Sequence, residues 1–250
     1  MCELIEPEAL EPIVKNNSGI IVDVCDYSRY AKAHIPSALH LQPQETFGPY
    51  PHKIGDLPNL NRIKEIIIKL GIIKHKPVYI YDDMGGVLAS RLIWLLDCVG
   101  YHNWILINGG LISWLKEGRA YKSTSSIDKT QEKKEIELKL KSLAHEYNFT
   151  KNQIISTLHS NDIIFWDSRS KGEFTGETKK AARAGHIPGS IHLDYRDLLN
   201  PNENLRIRSN VSDILEQNKI DPSKQIITYC HSNQRLSLIH ISEPTRRLVI

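Results

Sequence analysis

A chain that contains the same passage twice must fold each copy in much the same way, and this one does contain such a passage. The block HIPSALHL, His34 to Leu41, returns as HIPGSIHLDY, His186 to Tyr195, an offset of 186 − 34 = 152 residues. Upstream, IIVDV (Ile20 to Val24) parallels IIFWDSR (Ile163 to Arg169). Downstream, PVYIYDD (Pro77 to Asp83) parallels QIITYCH (Gln225 to His231). Three blocks in one order mark a tandem duplication, which constrains the architecture more than any local propensity. With 250 residues, the chain is long enough for two domains that each bury a core.

The repeated β-branched runs lack polar alternation, as strands do when both faces of a mainly parallel sheet are covered. Helices must then supply the cover. Candidates are Leu60 to Leu70, stopped by Gly71; Val87 to Val99, stopped by Gly100; and the segment after Thr150, a plausible N-cap, through Leu158. Alternating strands and helices give an α/β class. The polar stretch KSTSSIDKTQEKKEIELKLKS lies between the copies, with one short edge strand in IELKL. The expected organisation is therefore a domain over 1–122, a linker over 123–148 and a second domain over 149–250.

A net charge of +3 with mixed signs argues against a nucleic-acid footprint or a polybasic membrane surface. The acidic start MCELIEPEAL and the lack of a long apolar run exclude a secretory leader and a membrane span from the reading. Cys2, Cys25, Cys98 and Cys230 form no CxxC pair and no zinc spacing, so no metal is expected and a reducing, cytoplasmic setting fits.

Among these thiols, Cys230 stands out. It follows the strand IITY and precedes HSNQR, which puts its sulfur at the C-terminal end of a parallel strand, where α/β sheets hold their ligands. A helix starting near Arg235 would turn backbone N–H groups and a positive dipole end toward the sulfur. A free thiol has a pKa near ~8.5, and such surroundings favour the nucleophilic thiolate. A free cysteine often serves merely as a small core residue. The polar neighbours of Cys230 make that less apt here, whereas it suits Cys98 and Cys25.

The blocks IITYCHSNQR, DSRSKGEF and RAGHIPGSIHLDY resemble the catalytic half of a tandem rhodanese, a sulfurtransferase. The first copy, with VDVCDYSRYAKAHIPSALHL and ILINGGLISWLKEG, resembles the family's inactive half. The resemblance implies two rhodanese-like domains, each a mainly parallel sheet flanked by helices, and a Cys230 persulfide formed from an anionic donor. Thiosulfate is favoured as donor and 3-mercaptopyruvate is possible; the acceptor is cyanide or a thiol. It also implies that the amides of His231, Ser232, Asn233, Gln234 and Arg235 cradle the sulfur, that Arg183 and Arg235 face the donor, and that a monomer works without a cofactor. Aligning YIYDD on ITYCH places Asp82 opposite Cys230. A carboxylate carries no persulfide, so the first copy should be catalytically silent.

Competing readings are a sulfur-carrier or interaction module and a cysteine phosphatase or arsenate reductase. Against the latter, only HSNQ separates Cys230 from Arg235, one residue fewer than an oxyanion-encircling phosphatase loop has. His34 and His186 occur in both copies and read as turn-stabilising, and Asp23 and Asp167 as loop-fixing. NGG, Asn108 to Gly110, reads as a turn before a helix, and Glu173 stands where some thiosulfate enzymes carry a base. After Arg235 the text LSLIHISEPTRRLVI has no counterpart of ILINGG, and Pro244 ends any helix after about two turns. The second domain is thus expected to be incomplete, with a truncated or foreign tail. Unpaired backbone groups at about 1–3 kcal/mol each, against a total stability of about 5–15, would leave it poorly folded and weakly active.

Overall fold

The computed structural model describes residues 4–48, 57–72, 76–124, 149–231 and 234–242. In the first half, five parallel strands form one sheet: β1 (Leu4–Ile5), β2 (Ile20–Asp23), β3 (Leu39–His40), β4 (Val78–Tyr81) and β5 (Trp104–Ile107), in the order β1-β5-β4-β2-β3. Five helices cover it: α1 (Pro7–Lys15), α2 (Tyr27–Lys32), α3 (Leu60–Lys69), α4 (Val87–Cys98) and α5 (Gly110–Lys116). Along β4, Val78 and Ile80 enter one core with α3 and α4, while Tyr79 and Tyr81 enter the other with α1 and α5. Burial on both faces is why this strand shows no polar alternation.

The expected helix starts agree with the structure, and the ends lie within one residue. Asn59 caps α3 by accepting from the Arg62 amide at 2.9 Å. Thr150 and Gln153 close a capping box on α6 (Lys151–Thr157).

In the second half, β6 (Ile163–Asp167), β7 (Ile191–His192) and β10 (Gln225–Tyr229) pair in parallel in the order β10-β6-β7. This reproduces the β4-β2-β3 segment of the first sheet. The elements β8 (Leu199–Asn200) and β9 (Arg206–Ile207) form an antiparallel hairpin, and α7 (Lys171–Thr175), α8 (Val211–Gln217) and α9 (Arg235–Ser242) complete it. Among the described residues no strand lies beside β10 on the side away from β6. Residues 125–148, with most of the expected linker and its IELKL strand, lie outside the described residues.

The segment LSLIHIS, which is not followed by a counterpart of ILINGG, supplies cover. It continues α9, whose neighbours Leu238 and Ile239 are fully buried in different cores. Leu238 enters the α3–α4 core of the first half, and Ile239 packs with Trp166, Leu215 and Ile226 of the second. Full burial of such a side chain is worth roughly 1.5–3 kcal/mol, so α9 ties the halves together from both sides. Gly86, at φ +98°, makes room: a Cβ there would lie 3.2 Å from Leu238 Cδ1.

A polar seam adds to this contact. Asn108 donates to Glu6 Oε1 at 2.7 Å and accepts from the Ile207 amide at 2.9 Å, and Arg206 donates to Glu6 Oε2 at 2.7 Å and to Glu117. The NGG turn expected before α5 is thus also a clasp on the β8–β9 hairpin. Gly110, at φ +53°, presses against the Asp82 carbonyl, where a Cβ would come within 2.1 Å.

Candidate active site

Cys230 follows β10 directly, half-buried, at the C-terminal end of a strand paired with β6 through Tyr229–Asp167. The preceding residue is held from several directions. The Tyr229 hydroxyl accepts from the Ile187 amide at 3.1 Å and donates to Ser190 Oγ at 3.0 Å. Its carbonyl accepts from the Ser168 amide at 3.2 Å and hydroxyl at 3.1 Å. Over its ring, at 5.5 Å, lies the Arg169 guanidinium, which is locked on Asp167 by a two-pronged ion pair and donates to the Gly185 carbonyl at 2.8 Å. Burial raises the Tyr229 phenol to about 12, so it stays a neutral hydrogen-bonding group.

The first half repeats this framework and shows which parts are structural. The Ile35 amide donates to the Tyr81 hydroxyl at 3.0 Å as Ile187 does to Tyr229. His34 Nδ1 donates to the Tyr30 carbonyl and His186 Nδ1 to the Phe174 carbonyl, both at 2.8 Å, each imidazole stacked on the ring it serves. Asp23 and Asp167 accept from the amides of Cys25 and Arg169 at 2.7 and 3.0 Å. Both histidines therefore brace turns, and both aspartates fix loops. Where Arg169 stands, the first half has Cys25, a buried thiol whose pKa is driven up by burial and by the neighbouring carboxylates. Cys98 is also core, its thiol pushed up to about 12 mainly by burial. Cys2 lies outside the described residues.

Asp82 occupies the position opposite Cys230 and is completely buried. Its Oδ1 accepts from the amides of Met84 and Gly86, both at 2.8 Å, and its Oδ2 from those of Leu88 at 2.6 Å and Ala89 at 3.0 Å. Burial pushes this carboxyl above its usual range, and the four amides offset only part of that rise. The last two donors are first-turn amides of α4, so Asp82 caps that helix from a distance. A loop of this shape after this strand is a cradle for an anion, and in the first half the chain fills it with its own side chain.

In the second half, Ser232 and Asn233 lie outside the described residues. His231 is half-buried. The Gln234 carbonyl accepts from the Ser237 amide at 3.1 Å as α9 begins. Arg235 opens α9, as the sequence suggested, but its guanidinium is engaged: Nη1 donates to Glu173 Oε2 at 2.7 Å. Glu173 is almost wholly buried. Its Oε2 also accepts from Ser170 Oγ at 2.9 Å and the Ser170 amide at 3.2 Å, closing the capping box of α7. Burial would raise the Glu173 carboxyl, but Arg235 and Ser170 outweigh it and hold it below the usual range. Glu173 is thus the counter-charge of Arg235. An open pocket beside the loop is lined by Ser170, Glu173, Asp194, Tyr195, Arg196 and Arg235; neither Cys230 nor Arg183 lines it. Arg183 is exposed on the α7–β7 connection, with no ion pair among the described residues. Sequence reasoning missed Arg169, Ser168 and Tyr229, although all three lie inside the repeated blocks IIFWDSR and QIITYCH.

Among the described residues no group of His, Cys, Asp and Glu could hold a metal ion, and no helix is long and apolar enough to cross a membrane. Fold and site together define a duplicated α/β protein with a half-buried cysteine, Cys230, in the strand-to-helix segment after β10. The Rhodanese-like domain model matches residues 6–117 and again 150–243, and the chain belongs to the rhodanese family. Among curated relatives, it is 34% identical over 241 residues to a thiosulfate sulfurtransferase of Azotobacter vinelandii. It is 32% identical over 238 residues to one of Pseudomonas aeruginosa. Each alignment covers 95% of this chain and 86% of the relative. The human 3-mercaptopyruvate sulfurtransferase is 28% identical over 81% of this chain and 68% of its own. Among solved structures, SseA of Escherichia coli, a 3-mercaptopyruvate sulfotransferase, superposes with a TM-score of 0.80 at 18% identity, covering 100% of this chain and 98% of that one. The chain is a sulfurtransferase of two rhodanese-like domains.

Proposed function

We propose that Cys230 is the sulfur-carrying nucleophile and that thiosulfate is the preferred donor. The observation that carries this reading is the pairing of Cys230 with Asp82: two equivalent strand ends, one presenting a half-exposed thiol and the other a carboxylate embraced by four amides. A loop that gathers amides round an anion suits a persulfide as well as a carboxylate.

In the first step the Cys230 thiolate attacks the sulfane sulfur of thiosulfate; the bond to the sulfonate sulfur breaks and sulfite leaves with the electron pair. The resulting persulfide anion would be cradled by backbone amides of the loop that follows Cys230, those of His231, Gln234 and Arg235 among them. In the second step a thiophilic acceptor, cyanide or a thiol, attacks the outer sulfur and the Cys230 thiolate departs. Arg183, exposed, and Arg235, whose charge is matched by Glu173, are the cations assigned to the anionic donor, with 3-mercaptopyruvate as the alternative donor. No cofactor takes part, and one chain suffices. A cytoplasmic setting suits free thiols at positions 25, 98 and 230. Steady-state thiocyanate production from thiosulfate and cyanide tests the reading: parallel double-reciprocal lines are expected, with loss of turnover in Cys230→Ser. Turnover surviving that substitution would overturn it.

A further inference from the structure

In both halves an ion pair joins an aligned helix position to the segment after the next strand, with opposite polarity. Residues 23–30 correspond to 167–174 at a constant offset of 167 − 23 = 144, so Arg29 of α2 corresponds to Glu173 of α7. In the first half Arg29 Nε lies 3.6 Å from Asp83 Oδ2, in the loop that follows β4. In the second half Glu173 Oε2 lies 2.7 Å from Arg235 Nη1, in the loop that follows β10. A first-turn side chain of the helix after the second strand of the repeat thus tethers the segment after the next strand in each copy, with both charges reversed and a loop partner that lies at a different place in the alignment.

The consequence for the second half is electrostatic. Arg235 is the cation closest in sequence to Cys230, yet it is already matched by a buried carboxylate. The pocket it lines contains a second matched pair, Asp194 with Arg196, at 2.5 Å between Oδ2 and Nη2. Two carboxylates and two guanidiniums leave this pocket with no net charge. One carboxylate oxygen, Glu173 Oε1, is buried without a hydrogen-bond partner among the described residues. A helix cap alone does not require an acid there, because Gln153 closes the same capping box on α6.

We infer that Glu173 is a specificity-determining residue. By neutralising Arg235 it restrains the affinity of the site for dianionic donors such as thiosulfate, and so narrows the gap between them and monoanionic donors such as 3-mercaptopyruvate. The inference rests on the sulfurtransferase reading of Cys230. Coulomb energy is linear in ligand charge, so the fold-change for a dianion is the square of that for a monoanion. Removing one partly screened negative charge beside the site should strengthen dianion binding roughly tenfold and monoanion binding roughly threefold.

The test is steady-state kinetics of Glu173→Gln with both donors at about 0.15 M salt, where exposed charges more than about 8 Å away are screened. Glutamine keeps the capping box and removes the charge. The expected result is a KM for thiosulfate lowered roughly tenfold and for 3-mercaptopyruvate roughly threefold, with kcat changed less than about twofold and the wild-type ratio kept by Glu173→Asp. Equal changes for both donors, or a fall in kcat alone, would overturn the inference and leave Glu173 a structural tether. An arm independent of variant folding and of turnover uses the wild-type chain: protection of Cys230 against iodoacetamide, read by peptide mass spectrometry, with sulfate and methanesulfonate as competing anions. Protection constants within about threefold of each other are expected; sulfate more than tenfold stronger would overturn the inference. Absence of turnover with either donor would sink the sulfurtransferase reading, while the alkylation arm still decides this one.

Discussion

Replacing Asp82 by asparagine tests whether the loop of the first half is held together by the carboxylate at its centre. In the native chain four amides, two of them buried and two part-buried, share two oxygens at 2.6–3.0 Å. Asparagine supplies one oxygen, which can satisfy one pair of amides; the other pair then faces an NH2 group, donor against donor. Two orphaned donors cost about 1–3 kcal/mol each, and if the pair is Leu88 and Ala89, α4 also loses its cap, worth roughly 1 kcal/mol. Relief of the desolvation borne by a buried carboxylate offsets part of this, leaving an expected loss of about 2–4 kcal/mol, a large share of a domain's stability. Urea unfolding followed by far-ultraviolet circular dichroism should show a lower midpoint at unchanged slope. Because α4 packs against α9, thiosulfate turnover should fall in parallel near the new midpoint. A midpoint shift equivalent to less than about 0.5 kcal/mol would refute the reasoning, since the amides would then find other acceptors at no cost.

Leu238→Ala should destabilise the whole chain by about 2–5 kcal/mol, because the side chain is fully buried in the core of the other half and the cavity would open at the interface; a thermal or urea melt measures it, and a loss below about 1 kcal/mol would contradict the two-core role of α9. The lowered Glu173 carboxyl gives an acid signature. A depressed folded-state pKa contributes stability that is complete above the unfolded value near 4.3 and disappears as pH falls through the lower folded value. Melting temperatures over pH 3–6 should therefore fall more steeply toward acid in the wild type than in Glu173→Gln. Identical acid limbs would contradict the ion pair. Asp82→Cys should acquire no sulfur from thiosulfate, because that position is wholly buried, and detection of an adduct there by mass spectrometry would disprove the enclosure of the first loop.

Much of this architecture was legible because its signals are local. Apolar runs such as IIVD and IITY announce strands covered on both faces, and Asn59, Thr150 and Gly71 mark helix ends. The duplication aligned Asp82 on Cys230 and cleared His34 and His186 of catalytic duty before any coordinates were needed. Features that depend on distant partners were not legible. Arg235 and Glu173 are 62 residues apart, and no periodicity links them, so Arg235 read as a free donor-facing cation. The β8–β9 strands are two residues each, too short to leave a pattern, and Arg206 meets Glu6 across 200 residues. The helix after Arg235 could be expected from its residues, but not that Leu238 and Ile239 enter separate cores, because that split depends on the docking of the two halves. The NGG turn was placed correctly, whereas the clasp of Asn108 on the hairpin requires knowing what lies opposite.

Mass spectrometry of the protein after exposure to thiosulfate probes the central claim most directly, with each cysteine peptide resolved and cyanide added afterwards. The expected result is one additional sulfur atom on the Cys230 peptide, removed by cyanide, with none on the peptides bearing Cys25 or Cys98. No added sulfur at Cys230, or added sulfur that persists in Cys230→Ser, would contradict the account.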